Sequence, residues 1–99
     1  MRPSIPTSHL NELYTLVSSV TSDAEAKLLL TDLLTPNELQ ALAERWQLVK
    51  MLAAGKTQRD IAASLSVSIS KVTRGSACLQ RSGGGFALFM KRLSKSRRA

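Results

Sequence analysis

Few residues in this sequence are of types that do covalent chemistry. His9 is the only histidine and Cys78 the only cysteine. An imidazole with no second histidine, no cysteine cluster and no acid at ligand spacing lacks the partners that metal binding or general-base catalysis needs, so His9 reads as a surface residue. A single thiol allows no internal disulfide, which fits a reducing cytoplasm. There is no cluster of three acids on a separate fold and no nucleophile with a base, so neither an enzyme nor a metal site is expected. The pattern that does carry chemistry is non-covalent. Ser68, Ser70, Lys71 and Thr73 fall on the outward side of one short helical stretch and supply donors and short polar groups suited to phosphates and base edges.

Positioning such a set requires two helices and a tight turn, and the stretch Thr57 to Leu79 supplies the signals for both. In Thr57-Gln58-Arg59-Asp60 the threonine hydroxyl can accept an orphan backbone N–H, while the Asp60 carboxylate lies in the positive first turn. Ile61, Ala62 and Leu65 follow at helical spacing on one inward face, and Ala62 is small enough to let a second helix cross closely. Leu65-Ser66-Val67 is the expected turn. Its centre favours glycine, so Ser66 carries a steric cost there. Ser68 then caps a second helix whose Ile69, Val72 and Leu79 face inward.

Charge agrees with a polyanion partner. The chain has 14 Lys+Arg against 7 Asp+Glu, a net +7. All the acids lie at or before Asp60, so residues 61 to 99 hold eight bases and no acid. A polarised basic half is the footprint of a nucleic-acid binder, its bland alternative being a solvated basic surface. At 99 residues the chain is one domain. Such a chain buries only about 60–65% of its unfolded surface, which favours oligomerisation. No apolar run of 18 residues and no signal-peptide layout is present, so no membrane association is expected and the location is read as cytoplasmic.

In chain order, residues 1–7 read as a disordered arm because of Pro3 and Pro6. Residues 8–54 form the core helices of a dimer, 57–80 the two-helix unit, 86–93 a C-terminal helix and 94–99 a basic tail. Leu10, Leu13, Tyr14, Val17 and Val20 make the apolar stripe of a first helix from about Ser8 to Val20, with Tyr14 in the core. The second helix starts with a capping-box arrangement at Ser22 to Glu25 and carries Leu28, Leu29, Leu30, Leu33 and Leu34 on more than one face. A small domain cannot hide that surface alone, so a partner chain is inferred. Thr35-Pro36-Asn37-Glu38 is the strongest helix start, opening a long third helix to about Ala54 that Gly55 ends. Leu39, Leu42, Trp46, Val49 and Ala53 line one side of it, and Leu48, Met51 and Leu52 a second. Trp46 is read as a core anchor. After the glycines at 83 to 85, Phe86, Phe89, Met90 and Leu93 give the last helix its apolar face.

The run from Leu29 to Gln80 resembles the tryptophan repressor family. The likeness rests on Leu34-Thr35-Pro36, Arg45, the T-Q-R-D-I of Thr57 to Ile61, and the I-x-x-V-T-R-G-S of Ile69 to Ser76. It covers about half the chain clearly. Its most specific part is T-R-G-S at the end of the second short helix.

The resemblance implies an all-α, six-helix intertwined homodimer with a helix-turn-helix reading head. It further implies a transcriptional repressor whose affinity for a double-stranded DNA operator is raised by L-tryptophan as corepressor, with no other cofactor. By that likeness Arg45 and Arg74 sandwich the indole and Arg74 also holds the carboxylate, roles that guanidinium groups serve by stacking and paired donation. Gly75 leaves room beside the ring. Thr35 lies near the carboxylate or only caps its helix. Backbone carbonyls around Asp32 and Leu34 accept from the ammonium group. Cys78 stands where the family commonly has a serine facing that group, and its thiol is a weaker acceptor. The positions expected on DNA are Gln58, Arg59, Ser68, Ile69, Ser70, Lys71 and Thr73, with Arg59 and Lys71 mainly on phosphate or guanine and Ile69 against a thymine methyl. Lys71 and Ser68 replace a usual threonine and glycine. Two other readings stand beside this one: a regulator of the same kind that is ligand-independent or answers another small ligand, and the DNA-recognition unit of a transposase-like protein.

Overall fold

The computed structural model describes residues 4–81 and 83–98, with side chains described through Ser94. Among these residues there are six α-helices and no strand: α1 Thr7–Ser18, α2 Asp23–Leu33, α3 Pro36–Ala53, α4 Gln58–Leu65, α5 Ile69–Arg81 and α6 Gly85–Arg98. The chain divides into two compact units, residues 1–39 and 40–99.

In the first unit the helix starts are set by local hydrogen bonds. Ser22 Oγ accepts from the Glu25 N–H at 3.1 Å. The Glu25 carboxylate reaches one residue further back than a capping box requires, accepting from the Thr21 N–H and hydroxyl at 2.9 and 2.8 Å. Those two bonds hold its carboxyl below its ordinary pKa. At α3 the box is complete: Thr35 Oγ1 accepts from the Glu38 N–H, and Glu38 Oε1 accepts from the Thr35 N–H. Neither α1 nor α2 buries a residue. Tyr14, expected in the core, is 61% exposed, and Leu28 is 68% exposed, because the apolar stripes of two short helices offer more surface than either can cover. Residues 1–3 of the expected arm lie outside the described residues, and α1 already begins at Thr7 behind Pro6.

The second unit has a core of Leu48, Ile61 and Val72, with Met51, Leu52, Ala62, Leu65 and Val67 packed around it. The side of α3 that packs here is therefore the one bearing Leu48, Met51 and Leu52. On the other side Val49 is buried, Trp46 is half-buried and Leu42 is exposed. Trp46 meets Phe86 of α6 with ring centroids 6.3 Å apart. At the end of α3, Gly55 takes φ +88°, its N–H bonding to Leu52 O and that of Lys56 to Met51 O, the left-handed termination that favours glycine. The α4 terminus uses the same arrangement with Ser66 at φ 55°, ψ 44°, as the turn was expected to need.

Two expectations are corrected. Ile69 does not join the inward face of α5: Val72 is buried, but Ile69 is 49% exposed, because the turn places the first residue of α5 beyond the reach of the core. The C-terminal helix is also longer than 86–93. It starts at Gly85 and continues through the segment read as a basic tail to Arg98. Nothing there breaks a helix, lysine and arginine are good helix formers, and cations suit a helix C-terminus. Ala99 lies outside the described residues.

Candidate functional site

The second unit holds a groove of about 410 Å³ between α3 and α5. From α3 it is lined by Ala41, Glu44, Arg45 and Leu48, and from α5 by Lys71, Arg74, Gly75, Cys78 and Arg81. The spacing explains the set, since each group recurs at three or four residues and so occupies one face of its helix. Arg45 and Arg74 are exposed, while Cys78 is half-buried. Four cationic side chains and one carboxylate thus line a cavity together with the apolar Ala41 and Leu48. Such a lining can stack on a flat ring and donate to an anionic group.

At Gly75 the backbone of α5 lies close against the Leu48 side chain of α3. A Cβ built there collides with Leu48 Cδ2 and lies 3.2 Å from Cδ1 and 3.3 Å from Cγ. Leu48 is itself only 4% exposed. The space beside Gly75 is thus shared between the groove and a core leucine, a packing role additional to the room expected for a ligand.

Of the residues expected to hold a ligand, the groove brings together Arg45, Arg74, Gly75 and Cys78. Asp32, Leu34 and Thr35 belong to the first unit. Asp32 lines a shallow depression with residues of α1 and α2, and Leu34 caps α2 with its N–H on Leu30 O. Thr35 caps α3, and accepting one bond there leaves its O–H free to donate. Ala41, Glu44, Leu48 and Arg81, not expected at a site, also line the groove, as does Lys71, expected on DNA. Arg81 continues the Arg74, Cys78 stripe at i+7, and Glu44 and Leu48 flank Arg45 on its face, so the helical period contained the signal.

The residues expected on DNA fall into two groups. Arg59, Ser68, Ile69 and Ser70 are exposed around the start of α4 and the start of α5, and Ser68 Oγ caps α5 by accepting from the Lys71 N–H at 3.1 Å. The rest are engaged within the protein. The Thr73 hydroxyl shares its proton between Gln58 Oε1 at 3.1 Å and Ile69 O at 3.0 Å, tying α5 to α4. Lys71 Nζ sits 2.9 Å from Glu44 Oε1, across the groove. Among the described residues, no group of three or more His, Cys, Asp or Glu is placed to hold a metal ion, and no helix is long and apolar enough to cross a membrane.

Comparison with known proteins gives this geometry a family. A Trp operon repressor homolog of Xylella fastidiosa is 36% identical over 69 residues, 69% of this chain and 75% of that protein. One of Vibrio cholerae is 37% identical over 70 residues, covering 70% of this chain and 68% of its own. An uncharacterized protein of Bacillus subtilis, YerC, is 26% identical over 87 residues, covering 88% and 84%. No solved structure matches the chain significantly. The profile of the family described as Trp repressor protein matches residues 8–94, and the chain belongs to that family.

Proposed function

We propose that the chain is a DNA-binding transcriptional repressor, acting as a homodimer in the cytoplasm, whose operator affinity is raised by L-tryptophan. The observation that carries the reading is the groove itself. Arg45 from α3 and Arg74, Gly75 and Cys78 from α5 line one cavity, on the same helix whose first turn presents Ser68, Ile69 and Ser70 to solvent. A ligand seated there touches α3 and α5 together and so has differential contacts with which to favour one placement of α5. In dimeric helix-turn-helix repressors, the Trp repressor among them, recognition helices sit about 34–36 Å apart to enter successive major grooves. Stabilising that spacing is the proposed action of the ligand. Dimerisation is supported by the uncovered apolar faces of α1 and α2, including Tyr14, Val17, Leu28 and Leu33, which a second copy would take out of water.

A titration of the protein onto promoter DNA of tryptophan-related genes at fixed salt, with and without L-tryptophan, tests the proposal. Tighter specific binding with the amino acid is expected. Equal affinity would remove the corepressor role and leave a ligand-independent DNA-binding regulator. That second reading is favoured by one observation, the ion pair of Lys71 with Glu44, which ties α5 to α3 through the chain's own side chains.

A further inference from the structure

We infer that Lys71 and Glu44 are positioning residues for the DNA-reading helix, their ion pair holding α5 against α3 so that the reading face is partly set before any ligand binds. The inference rests on the reading of the chain as a DNA-binding regulator. Lys71 Nζ and Glu44 Oε1 are 2.9 Å apart, and among the described residues theirs is the only ion pair. It joins residues 27 positions apart in sequence. Lys71 precedes Arg74 by one helical turn and Glu44 adjoins Arg45, so the pair borders the same groove. On its other side α5 is tied to α4 by the Thr73 to Gln58 hydrogen bond, and its inner face is fixed by Val72 in the core. The ion pair is the polar tie toward α3.

Two consequences follow from the chemistry. An ammonium paired with Glu44 is less available to phosphate, so Lys71 is expected to add little to the counterions released on DNA binding. A ligand in the groove also finds α5 already restrained, and the gain it can produce is smaller than in a chain whose α5 lacks such a tie. Side-chain exposures of 57% for Lys71 and 26% for Glu44 make the pair a modest one, with an effect of about two- to fivefold on any equilibrium it controls.

The test is a double-mutant cycle of Lys71→Ala and Glu44→Gln on the full chain, with the charge-swapped pair Glu44→Lys/Lys71→Glu as rescue. Each variant is followed by amide hydrogen exchange of α5 without DNA and by ligand-free DNA affinity across a salt series. Each single variant is expected to speed α5 exchange and weaken ligand-free DNA binding about two- to fivefold. The double variant should do no more than either, the swap should restore both, and the salt slope of Lys71→Ala should match that of the unaltered protein. Independent effects that multiply in the double variant overturn the inference. So does a slope shallower by about 0.9 per lost phosphate contact in Lys71→Ala alone, which would make Lys71 a DNA contact. If the unaltered protein binds no DNA, the functional reading fails separately, and the exchange cycle still decides for or against the tie.

Discussion

Replacing Gly75 by alanine sets two calculable effects against each other. Gly75 lies inside α5, where alanine in place of glycine stabilises an unhindered helix by about 0.8–1.0 kcal/mol. Against this, the new methyl meets the Leu48 Cδ2 methyl and crowds Cδ1 and Cγ at 3.2 and 3.3 Å. Leu48 is 4% exposed and packed on Ile61 and Val72, so its retreat disturbs the core, and overpacking of that kind costs about 1–3 kcal/mol. The net expectation is a loss of about 0–2 kcal/mol, each kcal/mol lowering Tm by about 4–8 °C in a domain of this size. Urea unfolding at one fixed protomer concentration measures it, since oligomer stability depends on concentration. A second variant sharpens the test. Leu48→Ala alone should cost about 2–5 kcal/mol, and in the Gly75→Ala chain it should cost at least about 1 kcal/mol less, because the added methyl fills part of the hole. A Gly75→Ala protein more stable by the full helix-propensity gain would refute the close-approach reasoning and return Gly75 to a purely ligand-facing role.

Three further outcomes are expected. Ser66→Gly should raise the urea midpoint by the equivalent of about 0.5–1 kcal/mol. The left-handed conformation at φ 55° costs a non-glycine residue about 1–2 kcal/mol, and the greater freedom of glycine in the unfolded chain offsets part of the gain; a lower midpoint contradicts this. Arg74→Ala should abolish the tryptophan response in the DNA titration, whereas Arg59→Ala should weaken DNA binding even with the ligand bound, and reversed roles would sink the division into groove and DNA face. The Glu25 carboxyl, held down by its bonds to Thr21, should titrate below its ordinary value. Its contribution to stability is then present above the unfolded-state pKa and lost as pH falls through the lower folded value, so a carbon-13 titration of Glu25 with a midpoint at or above the ordinary value would contradict the α2 cap.

What could be read from the sequence was what neighbouring residues decide among themselves. Thr35-Pro36-Glu38 contains its own helix start, and the structure closes both of its hydrogen bonds. Ser22, Thr57 and Ser68 cap the helices that follow them for the same reason. Even the left-handed Ser66 followed from the need to turn between two helix signals. Choices that depend on distant partners were not legible. The central helix α3 has two apolar sides, and only packing against α4 and α5 selects Leu48, Met51 and Leu52. The end of α6 was missed because the basic segment was read by its charge, although its residues favour a helix.

At the groove, charge and helical period point Lys71 to different neighbours. Assigned by charge, it belonged with the phosphate-facing residues of α5. Assigned by helical period, it shares a face with Arg74 and Cys78, and that face looks across the groove to α3. The acid in reach across the groove is Glu44, which adjoins Arg45. One lysine of the basic half is thus paired with an acid from the other half. A residue type that suits two partners pairs with the one its helix face presents, so charge suggests a kind of partner, while the helical period sets which side chains share a face.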